Sequence, residues 1–105
     1  MLYLLTINVP VVIEEVVVDW LLEQEDINGF NSMATSGHGS NESNMVTSEK
    51  VTGRTRRVQF QTHLALATAE VLLKKLKHKF TTSDIHYMIA PLTQAGNLST
   101  YECDK

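Results

Sequence analysis

Apolar and polar residues alternate from the start of the chain. Tyr3, Leu5, Ile7 and Val9 share one side of residues 2–9, and Leu2, Leu4, Thr6 and Asn8 the other, the period of a β-strand. Both sides begin apolar, which predicts a central strand. Pro10 ends it and suits the first turn of a helix. Over residues 11–25, Val12, Ile13, Val16, Val17, Trp20 and Leu21 recur at helical spacing, with Glu14, Glu15, Asp19 and Glu23 between them. The valine run favours a strand, but acidic residues near the start suit the positive end of a helix dipole, and helix is the expectation.

The turn Ile27-Asn28-Gly29-Phe30 leads to a weaker second strand through Phe30, Met33 and Thr35 toward Gly37. A cleaner third strand covers residues 57–63. Val58, Phe60, Thr62 and Leu64 line one face, and Arg57, Gln59, Gln61 and His63 the other. Ala69, Leu72, Leu73, Leu76 and Phe80 form the apolar stripe of a second helix over residues 66–80, and Lys74, Lys75, Lys77 and Lys79 crowd its C-terminal turns, where cations suit the dipole. After a turn at residues 81–84, residues 85–92 read as a last strand, which Pro91 assigns to a sheet edge. The tail through Gly96, Asn97 and Tyr101 either adds a short strand to a neighbouring subunit or stays loose.

The element order is βαββαβ. It predicts an α+β, ferredoxin-like sandwich: a four-stranded antiparallel sheet with two helices on one face. The helix-free face is wet in a monomer and covered in an oligomer. Residues 37–57, between the second and third strands, form a long polar connection with glycines at both ends. Such connections in compact domains are usually functional or disordered.

The 105 residues, 43% of them hydrophobic, fit one domain spanning 1–105 with a single core. A net charge of -3 gives no general attraction for a polyanion, so nucleic acid is not an expected partner. The third-strand face also lacks the aromatic pair that stacks RNA bases. A lone cysteine, Cys103, excludes an internal disulfide and suits a reducing compartment. The apolar first residues lack a basic region, are broken by Asn8 and Pro10, and are too short for a bilayer. A cytoplasmic protein is expected.

Two ligand chemistries are compatible with the side chains. His38, His63, His86 and Cys103 are possible ligands for a divalent metal, with Met45 for Cu(I) and Glu42 or Glu49 as carboxylates, but no Cys-x-x-Cys or His-x-x-x-His spacing encodes a local site. Each also has an ordinary place on a loop, strand or tail. Gly53-Arg54-Thr55-Arg56-Arg57, preceded by Lys50, gathers cations beside a glycine turn, a pattern suited to phosphate or to protecting an exposed strand. It is not a P-loop. There is no Gly-x-Ser-x-Gly elbow and no activated cysteine, so an enzyme is not expected.

Ile27-Asn28-Gly29-Phe30 followed by Gly37-His38-Gly39 resembles the PII signal-transduction proteins, which have a glycine-containing turn into the second strand and a Gly-Phe-Gly-like segment at the base of a long T-loop. More specifically, the chain resembles a bacterial PII-like family of unknown function whose genes often lie beside heavy-metal efflux systems. The metal-tolerance family CutA shares that trimeric architecture. The resemblance implies a homotrimer with a T-loop-like arm at about 37–57. It further implies a regulatory or sensor role in which a small effector, a divalent or Cu(I) metal ion or an adenine nucleotide, binds at Gly37, His38, Gly39, Lys50, Arg54 and Arg56. A protein partner such as a membrane transport system would read the arm. Metal binding by His38 and Cys103 would make it a CutA-like metal-tolerance protein instead. Three PII features are absent: the glycine-rich basic nucleotide segment, replaced by Phe80-Thr81-Thr82-Ser83-Asp84; the Gly-Arg-Gln-Lys-Gly run, replaced by Ser40-Asn41-Glu42-Ser43; and a tyrosine in the arm.

Overall fold

The computed structural model describes residues 1–38 and 55–102. Four strands, β1 (Tyr3–Pro10), β2 (Asn31–Gly37), β3 (Thr55–Leu64) and β4 (His86–Pro91), form one antiparallel sheet in the order β2-β3-β1-β4. Helices α1 (Glu14–Leu22) and α2 (Leu66–Lys79) complete the ferredoxin-like arrangement. β1 is central, as its two apolar faces predict. β4 pairs with β1 alone, and the edge that Pro91 predicts is where it lies.

Register decides which side chains meet. Val9 opposes Val58, Ile7 opposes Phe60, and Ile7 also faces Tyr87. Leu5, Ile7, Val9, Val58, Phe60 and Leu64 therefore point to one side. There they form a buried core with Val17 and Leu21 of α1 and Ala69, Leu72 and Leu76 of α2. Each fully buried side chain of this kind contributes about 1.5–3 kcal/mol. Two edge-to-face aromatic pairs extend the core, Phe30 on Phe60 and Trp20 on Phe80, with ring centroids 5.9 and 6.1 Å apart.

The first helix departs from its expected form. Pro10 stays in the strand with ψ 144°, residues Val11–Ile13 make a 3-10 turn, and the α-helix starts at Glu14 and ends at Leu22 rather than Glu25. Of the expected stripe, Ile13, Val17, Trp20 and Leu21 meet the core, joined there by Val18, while Val12 and Val16 stand 80% and 52% exposed. α2 follows the expected stripe. Its C-terminal carbonyls at Lys77 and His78 accept from the Thr81 hydroxyl at 3.2 and 3.0 Å, which satisfies groups that the helix leaves open. No helix among the described residues is long and apolar enough to cross a membrane.

Candidate effector site at the base of the β2–β3 connection

β2 and β3 run further toward each other than the sequence suggests. Gly37 pairs with Thr55 and Ser36 with Arg56, so Thr55, Arg56 and Arg57 belong to β3 and not to the connection. Alternation sends neighbouring arginines to opposite faces. Arg56 is exposed on the helix side, whereas Arg57 is buried on the helix-free side at 9% exposure.

A buried guanidinium needs all its donors met. Arg57 Nε donates to Asn8 Oδ1 on β1, and its Nη2 donates to the Asn8 carbonyl at 3.1 Å and to the Asp84 carbonyl at 2.7 Å. Nη1 lies 3.4 Å from the Asp84 carboxylate. The other oxygen of that carboxylate is 3.1 Å from His86 Nε2. The stem of Arg57 passes close to β2, where a Cβ on Gly37 would come within 3.3 Å of Arg57 Cδ. One side chain on β3 thus touches β2 at Gly37, β1 at Asn8 and the α2–β4 link at Asp84. Thr35, directly opposite Arg57, has a buried hydroxyl with no hydrogen-bond partner among the described residues.

On the helix side, the same end of β2 and β3 borders a cleft of about 430 Å³. Ser32, Ser36, Arg56 and Glu14 give it polar groups, with Val11 and Val58 as apolar surface. Two hydroxyls, a cation and a carboxylate suit a small polar ligand that carries both donors and an anionic group. A fully ionised polyphosphate would meet Glu14 as well as Arg56.

Of the residues expected to bind an effector, Gly37 and Arg56 lie at the same end of the β2–β3 pair but on opposite faces of the sheet, and exposed His38 directly follows Gly37. Gly39, Lys50, Arg54 and Cys103 lie outside the described residues, so the His38–Cys103 metal pair has one described member. His63 pairs with Leu4 at the opposite end of the sheet from Gly37, and His86 lies on the opposite edge strand. Among the described residues no three His, Cys, Asp or Glu side chains gather closely enough to hold a metal ion. The helix-free strand positions carry no Phe, Tyr or Trp among the described residues. Sequence reasoning missed the bridge from Arg57 through Asn8 and Asp84, whose partners are 49 and 27 positions away. On a strand face shared with Gln59, Gln61 and His63, Arg57 gave no local signal of that bridge.

The sheet order, the two helices on one face and the long connection between β2 and β3 define a PII-like fold. A Thermus thermophilus structure described as a putative PII-like signaling protein shares 18% identity, with 84% of this chain and 83% of that one covered and a TM-score of 0.59. A nitrogen regulatory PII-like protein from Thiomonas intermedia K12, bound to ADP, AMP and bicarbonate, also shares 18%, covering 91% and 93% with a TM-score of 0.67. Residues 2–99 match the family described as "Protein of unknown function (DUF3240)", and the chain belongs to it. A DUF3240 protein of Shewanella baltica OS155 is 24% identical, with 92% and 96% covered and a TM-score of 0.75. No curated protein matches the chain.

Proposed function

We propose that this chain is a regulatory protein of the PII-like kind, a single domain of residues 1–105 that acts in the cytoplasm as a homotrimer and is not an enzyme. A small effector, a metal ion or an adenine nucleotide, binds at the base of the connection through Gly37, His38, Gly39, Lys50, Arg54 and Arg56. It selects one arrangement of the arm between Gly37 and Thr55, which a protein partner such as a transport system reads.

The observation that carries this reading is the Arg57 bridge. Arg56 lines the cleft, and the next residue is fixed to β1 and to the α2–β4 link. A ligand that pulls on Arg56 therefore acts on a strand end tied into the sheet, so its binding energy is directed into the arm rather than into unwinding β3. The Thiomonas protein's ADP, AMP and bicarbonate supply the first probes. In this chain the segment 80–84 lacks glycine and arginine, so nucleotide phosphates would depend on Lys50, Arg54 and Arg56.

Thermal unfolding with ADP, AMP, ATP, bicarbonate, Zn(II), Ni(II) and Cu(I), combined with limited proteolysis of residues 39–54, tests it. At a hundredfold excess over Kd a native-state ligand adds about 2.7 kcal/mol. The expected result is a raised Tm with at least one probe and slower cleavage in the arm. No stabilisation by any of them refutes the effector. Stabilisation by metal without slower cleavage supports the CutA-like alternative, in which chelation is itself the function.

A further inference from the structure

The tail after β4 folds into a short turn that buries nothing in its own chain. Residues Leu98–Thr100 form a 3-10 turn whose start is capped by Asn97. The Ser99 amide donates to Asn97 Oδ1 at 2.9 Å, the Thr100 amide and hydroxyl donate to the Asn97 carbonyl, and the Tyr101 amide donates to the Leu98 carbonyl at 3.1 Å. This local bonding presents two large apolar side chains, Leu98 at 85% and Tyr101 at 59% exposure. Fixing backbone costs about 1–2 kcal/mol per residue, and hydrophobic burial normally offsets it.

The matching surface lies at the other end of β4. Between α2 and the start of β4 a groove of about 410 Å³ is walled by Leu73, Phe80, Ile85 and Tyr87, with Lys74 and Lys77 at its rim. Tyr87 is 62% exposed, so the groove is not filled from its own chain. The tail carries Glu102 directly after Tyr101, opposite in charge to that rim. A chain's own tail starts at the wrong end for its own groove. β4 runs away from the groove, and the Leu92 amide is held on the Leu2 carbonyl at 3.1 Å, beside the first residues of β1.

We propose that Leu98 and Tyr101 of one copy insert into the α2–β4 groove of a second copy, with Glu102 against Lys74 and Lys77. The contact is head to tail, so it closes only when the rotation between copies completes a ring, as in a trimer. It rests on the proposed assembly of copies but makes a separate claim about what holds them together. It also brings one copy's tail to the α2–β4 link of the next, where Asp84 holds Arg57.

Disulfide trapping in the full chain tests it. With Cys103→Ser removing the native thiol, Ser83→Cys in the groove and Ser99→Cys in the turn are combined in one chain and oxidised. Covalent oligomers that reductant dissolves are expected. Leu98→Asp with Tyr101→Ala should lower their yield at least fivefold, and so should Lys74→Glu with Lys77→Glu. Adding Glu102→Lys to that last pair should restore the yield. The tail side chains are exposed, so their substitution leaves the folded chain intact, which circular dichroism checks. A disulfide-bonded monomer, no crosslink, or a yield indifferent to these substitutions overturns the proposal. Light scattering separates the two claims. An oligomer without the crosslink overturns the tail contact alone, and a monomer overturns both.

Discussion

Gly37 leaves open the space that the Arg57 stem occupies: a Cβ on Gly37 would stand 3.3 Å from Arg57 Cδ and 3.7 Å from the Thr55 carbonyl. The guanidinium beyond that stem is bonded to Asn8 and Asp84, so Arg57 has little freedom to withdraw. Glycine is needed here for closeness of approach.

Gly37→Ala should therefore destabilise the chain by about 1–3 kcal/mol, the usual range for overpacking a fixed neighbour. Urea unfolding followed by circular dichroism measures it. In an Arg57→Ala background the same substitution should cost much less, because the crowded atoms are gone.

Removing the guanidinium and removing its carboxylate partner should differ. Arg57→Ala leaves the Asn8 and Asp84 carbonyls without their donor and should cost about 2–3 kcal/mol. Asp84→Ala keeps the carbonyl that accepts at 2.7 Å and loses a half-exposed ion pair, for about 1 kcal/mol or less. Equal losses in urea titrations would show that the carboxylate, not the carbonyl, holds the bridge.

Arg56 lines the cleft, and its neighbour Arg57 holds the sheet. Arg56→Ala should abolish the Tm increase given by whichever probe binds, while the chain without a probe still unfolds cooperatively. A retained shift would place the effector elsewhere.

The core-facing side of α1 separates residues that the sequence groups together. Leu21→Ala should cost about 2–5 kcal/mol. Val16→Ser, at an exposed position, should stay within about 0.5 kcal/mol in the same unfolding assay.

Much of the fold was legible because its signals are local. Alternation in β1 and β3, the α2 stripe and Pro91 each act within a few residues, and together they led to the ferredoxin-like order. The α1 start was misread because Pro10 suits either a strand end or a helix start, and only pairing with Arg57 decides between them. At the site, sequence grouped Arg56 and Arg57 as like charges, and adjacency on a strand sends them to opposite faces. The Arg57 bridge depends on register between distant segments, which no local pattern records. Gly39, Lys50, Arg54 and Cys103 fall outside the described residues, and their roles rest on the proposal alone.

The Arg57 bridge also makes the sheet independent of what connects its strands. A slip of one residue in β3 would turn the guanidinium into the apolar core and Val58 out of it, a heavy penalty against any other register. Residues 39–54 can then be shortened, lengthened or replaced without the change being passed into β3. The register of the scaffold is thus held apart from the residues that join its two strands.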